Sequence, residues 1–324
     1  MISILTSLVV YSLGLPRWLM WPFYVIFLFF IFWNFYRIMR NNYIAAKTEE
    51  KAFEIFQLLL KRGFYVISDI VGERVKTRNE AWDSKHRYIE HIYFISKNCY
   101  KQISISVKPS QCGLYIKYEL CREILGAIIA VAHRKNIFVW IDAEKRKDRN
   151  NVFHIAAYLK NKRCDNFGVA LQANHSDARL FLEKYMKFGI PIRLVKGAYT
   201  DGDLRHDSLI NEQFVNLMNY FYDPLLQSPI FKNVALGTHD KVLINLGVAW
   251  KIAKEFQFLY GVNSVLAEQL LNSGERVAIY VPWGKKSGAY LFRRFREGIR
   301  FRTFFLFIRN LWSGYRFRRR LARL

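Results

Sequence analysis

One pattern constrains the fold more than any other and recurs along most of the chain. A short apolar run reaches a polar or aromatic end, and helix-like sequence follows. The runs are Phe64–Ile70, Ile103–Val107, Ile137–Ile141, Gly168–Leu171, Ile192–Val195, Val234–Leu236, Phe256–Leu259 and Val277–Val281. Their length and apolar content predict strands. Ser176–Met186 and Asp240–Lys254 are examples of the helical stretches between them. Alternating β and α units of this kind predict an α/β fold, a (β/α)8 TIM-like barrel. In such a barrel, function sits where the strands end.

The strand ends carry reactive side chains. They are Asp69 with Gly72 and Glu73, Lys108, Asp142 with Glu144, Gln172, Lys196 to Tyr199, Thr238-His239-Asp240, Tyr260, and Tyr280 with Trp283 and Gly284. Any one could be an ordinary loop residue, and His239 or Asp142 could cap a helix. Their recurrence in register is what a catalytic face predicts.

The most unusual stretch is Ile190–Thr200, IPIRLVKGAYT. Arg193 lies inside an apolar run, where an unpaired charge is costly, so it must face a partner. Gly197 lets backbone approach a bound molecule closely. Lys196 and Tyr199 add a cation and an aromatic hydroxyl there. Near the other end, Ser287–Glu297 (SGAYLFRRFRE) predicts a helix with Tyr290, Arg293, Arg294 and Glu297 on one side. Adjacent guanidinium forks suit a carboxylate. Glu297 is placed to hold Arg293.

The chain has 324 residues and a formal charge of +24. Such an excess calls for an anionic neighbour, a membrane surface or nucleic acid. Cys99, Cys112, Cys121 and Cys164 form no C-x-x-C pair, which argues against a zinc site or a disulfide framework. Leu19–Tyr36 is almost wholly apolar and predicts a transmembrane helix, with Arg37, Arg40 and Lys47 on the cytoplasmic side. Ile2–Leu15 is apolar but short, and reads as interfacial or re-entrant. Asn41–Arg62 predicts one amphipathic helix. The tail 301–324 mixes aromatics with arginines and no acid, which fits a membrane surface better than nucleic acid. The expected division is a membrane-anchoring segment 1–43, a barrel 44–300 and a basic amphipathic tail 301–324.

Taken in order, SDIVGE, SISVKPS, IDAE, GVALQA, RLVKGAY, LGTHD, FQFLYGV, VAIYVPWG and AYLFRRFRE resemble the proline dehydrogenase family, the flavin-dependent barrel also found inside proline utilisation A proteins. The resemblance runs over Phe64–Glu297 and is carried chiefly by R-L-V-K-G-A-Y and Y-x-x-R-R-x-x-E. Thr200 stands where the family usually has Trp, and Asp240 where Asn is common.

The resemblance implies FAD and an amino-acid substrate, L-proline or an analogue. Arg293 and Arg294 would take the substrate carboxylate, with Lys108 assisting and Asp142 beside it. Tyr280 and Leu259 would wall the ring, Tyr290 would lie near the arginines and Glu297 would pair with them. Gln172, Arg193, Lys196, Gly197, Ala198, Tyr199, Thr238 and His239 would hold the flavin. The implied reaction is oxidation of L-proline to 1-pyrroline-5-carboxylate with electrons passed to membrane quinone. The alternatives are oxidation of a proline analogue by the same fold, or an inactive membrane scaffold. The implied location is a membrane-anchored barrel on the cytoplasmic face. Nucleic-acid binding is the weaker reading of the basic tail.

Overall fold

In the computed structural model, the described residues are 21–72, 74–98, 102–197, 201–223, 228–229, 231, 233–298, 314–319 and 321, with only the backbone described at 22–24, 223, 228–229, 289 and 296–298. Eight parallel strands close into a barrel. They are β1 (Tyr65–Ile70), β2 (Ile103–Val107), β3 (Val139–Ile141), β4 (Phe167–Gln172), β5 (Ile192–Val195), β6 (Val234–Gly237), β7 (Glu255–Leu259) and β8 (Val277–Trp283). Each strand pairs with its neighbours in sequence, and β8 closes on β1 with Ile67 abreast of Tyr280. The eight expected strands are all present, with ends shifted by a residue or two.

The helices are α1 (Trp21–Tyr43), α2 (Glu49–Lys61), α3 (Arg78–Lys97), α4 (Tyr118–Arg134), α5 (Arg149–Asn161), α6 (Ala178–Lys187), α7 (Asp207–Asn219), α8 (Lys241–Ala249), α9 (Ser264–Asn272) and α10 (Gly288–Gly298). From α3 to α9, one helix links each strand to the next. Local chemistry sets several starts. Thr77 and Glu80 form a reciprocal capping box at α3. Asp240, rather than His239 or Asp142, caps α8 by accepting from the Val242 N–H at 3.0 Å.

Alternation along the strands sorts the side chains. Val66, Ile105, Val107, Val139, Ile141, Val169, Ile192, Leu194, Leu236, Phe256, Phe258 and Ile279 face outward and join the helices in one continuous core. The inner cluster is much smaller: Ile67, Trp140, Ala235 and Ala278, with Tyr65, Phe138 and Tyr280 packed against it. Trp140 fits because Gly168 lies on the next strand. A Cβ there would come within 2.6 Å of the indole. Above this small plug the barrel interior is polar, and that polar half is the carboxyl end.

Two expectations fail. Asn41–Arg62 is not one helix: α1 ends at Tyr43 and α2 starts after Thr48. The transmembrane helix is not met either. The chain divides into compact units at Met1–Asn41 and Asn42–Leu324, and α1 lies mainly in the first. Among the described residues no helix is long and apolar enough to cross a membrane. Asn34, Arg37, Arg40 and Asn41 stand in the second half of α1, and residues 19 and 20 of the expected span lie outside the described residues. The first half is nonetheless bare of cover, with Val25, Ile26, Leu28, Phe29, Phe30, Phe32 and Trp33 each more than half exposed. The reading of Ile2–Leu15 falls outside the described residues.

The tail also departs from expectation where it is described. Residues 314–319 are helical, and Phe317 and Leu321 are buried in the barrel's outer core. Phe317 meets Phe64 edge-on, with ring centroids 6.2 Å apart. This part of the tail belongs to the fold. Phe317→Ala is expected to lower unfolding stability by about 3–5 kcal/mol in urea titrations. Tyr315→Ala, at a side chain 45% exposed, is expected to change it little; equal effects would contradict the packing.

Candidate active site

Asp142 is the centre of the polar half. It follows β3, and its backbone N–H donates to Val107 O at 2.9 Å, which continues the ladder by one residue. Alternation through Phe138 and Trp140 turns its carboxylate inward. Oδ1 accepts from the Ser106 hydroxyl at 2.5 Å and from the Arg193 guanidinium. Oδ2 accepts from the Tyr280 hydroxyl at 2.8 Å and faces Lys108 Nζ at 3.3 Å. Burial pushes the Asp142 pKa up, but Lys108 and Arg193 outweigh it and hold the group at about 2.

Lys108 extends the network. Its ammonium donates to Asp69 and to the Tyr280 hydroxyl, the latter at 3.2 Å. Burial alone would lower its pKa, yet Asp69, Tyr280 and Asp142 raise it well above the ordinary lysine value. Lys108 is therefore a cation. Burial, with Asp142 and Asp69, pushes the Tyr280 phenol well up, so it acts as a hydroxyl donor. Arg193 has the partner that its sequence position demanded: Asp142, with Gln257 Oε1 at 3.4 Å. Its guanidinium also lies over the Trp140 and Tyr280 rings, 5.3 and 5.6 Å from their centroids.

Around this centre the neighbouring strand ends present donors. Gln172, ending β4, accepts from His175 Nε2 at 3.0 Å through Oε1, which leaves its amide N–H groups to face a ligand. Lys196, after β5, pairs with Asp240 Oδ2 at 2.8 Å, so Asp240 both caps α8 and steadies this cation. Gly197 has φ +108°, and a Cβ there would fall 2.2 Å from Asn174 Oδ1. A side chain cannot replace it without moving that loop. Thr238 is buried after β6, and its hydroxyl accepts from the Asp240 N–H at 3.2 Å.

His239 is held neutral. Burial, then the charges of Arg294 and Lys196, lower its pKa to about 3. Its Nε2 accepts from the Leu259 N–H at 3.0 Å, so Nδ1 carries the proton. Arg294, on helix α10, is thus one of the charges that hold His239 neutral. Its guanidinium also stacks on Tyr290, 5.6 Å from the ring centroid, and the Tyr290 side chain is buried. Leu259 and Tyr280 lie side by side in the β7–β8 register.

The structure thus brings Lys108, Asp142, Gln172, Arg193, Lys196, Gly197, Thr238, His239, Leu259, Tyr280, Tyr290 and Arg294 to the carboxyl end of the barrel. Arg293 is on the same helix, half-buried. Ala198, Tyr199, Thr200 and Glu73 fall outside the described residues, as does the side chain of Glu297. Sequence reading gave no role to Ser106, Gln257 or the Asp69 partner of Lys108. Their signal was present: Ser104-Ser106-Lys108 and Glu255-Gln257 place polar groups at alternate, inward positions.

Comparison with known proteins decides between barrels of this shape. The family profile described as proline dehydrogenase matches residues 54–216. Proline dehydrogenase 1 of Bacillus subtilis subsp. natto is 27% identical over 279 residues, covering 81% of this chain and 87% of the relative. The proline dehydrogenase of Deinococcus radiodurans is 33% identical over 295 residues, covering 82% and 86%.

The chain belongs to the proline dehydrogenase family.

Among solved structures, proline utilization A from Bdellovibrio bacteriovorus superposes with a TM-score of 0.71 at 21% identity, over 80% of this chain. The match spans only 32% of that longer protein, and it bears on the fold alone. As a proline dehydrogenase family member the chain is an FAD-dependent oxidoreductase, and its reaction is the oxidation of proline. The described residues fit that cofactor. Gln172, Lys196, Thr238 and His239 sit at the carboxyl ends of three consecutive strands, β4 to β6, with Arg193 inside β5, and offer cations and neutral polar groups. The nearest carboxylates, Asp142 and Asp240, are already matched by cations. Such a set suits a group carrying phosphates and a ring system that gains electrons.

The neutral His239 sets a pH signature. A histidine with a lowered folded pKa stabilises fully above the ordinary 6.5, and that contribution drains as pH falls toward about 3. The loss is up to ~1.4 kcal/mol per pH unit. Asp142 contributes in a lower window, between the ordinary 3.8 and about 2. Urea unfolding from about pH 7 to about pH 5 is expected to fall more steeply for the wild-type chain than for His239→Gln. Parallel curves would contradict a buried neutral ring.

Proposed function

We propose that this family member oxidises L-proline to 1-pyrroline-5-carboxylate at the carboxyl end of the barrel, with membrane quinone as the electron acceptor. The observation that carries the reading is the ionic centre at the carboxyl end of the barrel, where Asp142 is held by Arg193 and Tyr280 and faces Lys108. Arg293 and Arg294 bind the substrate carboxylate, and Lys108 adds a third positive charge. Tyr280 and Leu259, abreast on β7 and β8, wall the pyrrolidine ring. Tyr290 supports the arginines from the same helix. Glu297 is assigned the role of holding Arg293.

The flavin, when bound, accepts the hydride from the ring carbon beside nitrogen. Everything else falls to this chain's residues. Gln172, Arg193, Lys196, Thr238 and His239 hold the cofactor, and Gly197, Ala198 and Tyr199 are assigned to the same binding set. Arg193 and Lys196 supply positive charge where electrons arrive. The arginine pair and the Tyr280–Leu259 wall fix the substrate, and positioning of this kind accounts for ~7–11 kcal/mol of barrier in favourable cases. Asp142, held ionised down to about pH 2, is a poor proton acceptor. The amine therefore reacts after it has shed its proton, and the low-dielectric pocket favours that neutral form.

Membrane proximity follows from the same proposal. A quinone acceptor resides in lipid, and the exposed apolar half of α1, followed by Arg37 and Arg40, suits contact with an anionic lipid surface. Such contact requires no crossing of the bilayer.

The kinetic test separates substrate binding from cofactor binding. Arg294→Ala is expected to reduce kcat/KM for L-proline by about 10²–10³, as loss of a desolvated charge-assisted fork costs ~2–5 kcal/mol. Its flavin content should match the wild type. Unchanged kcat/KM, or equal loss of flavin, would sink the assignment.

A further inference from the structure

The opposite end of the barrel carries a second arrangement that proline oxidation does not use. At the amino-terminal mouth the described residues line a small cavity of about 100 Å³. Its apolar bed is Phe138, Trp140 and Pro191, with the two aromatic rings tilted at 63° and their centroids 5.0 Å apart. Its polar side is Lys254, Glu255 and Arg276.

Arg276 is held there by two contacts. Its Nε donates to Glu255 Oε2 at 2.9 Å, and its guanidinium lies flat on Tyr65, 3.7 Å from the ring centroid. Its two terminal nitrogens make no hydrogen bond among the described residues. Glu255 is itself anchored, since Oε1 accepts from Gln257 Nε2 at 2.8 Å. Gln257 in turn touches Arg193 at 3.4 Å. The guanidinium is thus fixed to a polar column on the barrel axis, with its open edge toward the cavity region. Lys254 is exposed and has no ion pair among the described residues. Glu255 is matched by Arg276, so Lys254 leaves the mouth with an excess positive charge.

We infer that this amino-terminal mouth is a binding site for a compact monocarboxylate with an apolar body, about the size of benzoate. The carboxylate takes the free fork of Arg276, and Lys254 neutralises it further. The apolar body lies on Phe138, Trp140 and Pro191. An apolar bed with a few fixed polar groups is the usual make-up of a small-ligand site, and a cavity of about 100 Å³ restricts the ligand to a compact one. Because Glu255 and Tyr65 already orient the guanidinium, binding spends little on ordering it. A zwitterion is disfavoured, because Glu255, the one lining carboxylate among the described residues, has both oxygens occupied. The site is separate from the proline site and does not depend on the function proposed above.

Calorimetric titration of the full-length flavin-loaded chain with benzoate, with and without saturating L-proline under anaerobic conditions, tests the inference. Saturable binding that L-proline leaves unchanged is expected. Arg276→Gln is expected to weaken it at least tenfold, and Lys254→Glu at least threefold with an unaltered thermal melt. If Arg276→Gln does not fold, Lys254→Glu decides, because its side chain is exposed and supports nothing. Absence of saturable binding, competition by L-proline, or unchanged affinity in Lys254→Glu would overturn the site.

Discussion

The arrangement depends on one buried carboxylate shared by two cations. Asp142 accepts from Ser106, Arg193 and Tyr280 and faces Lys108, all within the barrel. A lone arginine and a lone lysine in that interior would each be costly. Together with Asp142 and Asp69 their formal charges balance, and the hydroxyls of Ser106 and Tyr280 donate to the two oxygens of Asp142. The consequence is positional. Arg193 and Lys108 cannot swing into solvent, so positive charge is fixed inside the carboxyl half of the barrel.

The barrel is built to permit this. Its outer layer is a conventional apolar contact between strands and helices. Its inner apolar plug is only a few residues, pivoting on Trp140 over Gly168. A larger plug would leave no room for the ion network, and a smaller one would open the axis to water. The polar column Arg276–Glu255–Gln257–Arg193–Asp142 runs beside that plug and links both mouths by direct contacts. The carboxyl mouth holds the ion network; the other offers an oriented guanidinium of its own.

Much of this was legible in the residues. The strands are continuous apolar runs ending in polar groups, so all eight could be placed before their pairing was known. Arg193, charged within such a run, announced a buried partner. Which partner could not be read, because Asp142 is 51 residues away and meets it only through barrel closure. Helix limits were less visible. Residues 44–48 break what looks like one amphipathic stretch, and Asp240 rather than His239 caps α8. The basic tail misled for a physical reason: its arginines are conspicuous, whereas Phe317 and Leu321, at helical spacing, show their packing only once Phe64 is in place. The apolar run near the start likewise suggests a membrane span, yet Asn34, Arg37 and Arg40 fall within the helix it forms.

The visible absorbance of the purified chain, recorded anaerobically before and after L-proline is added, tests the account most directly. A barrel whose mouth holds FAD beside an arginine-gripped substrate should be yellow, lose its flavin band on addition of L-proline, and recover it when a quinone is supplied. A colourless protein, or a bound flavin that L-proline leaves oxidised, would contradict it.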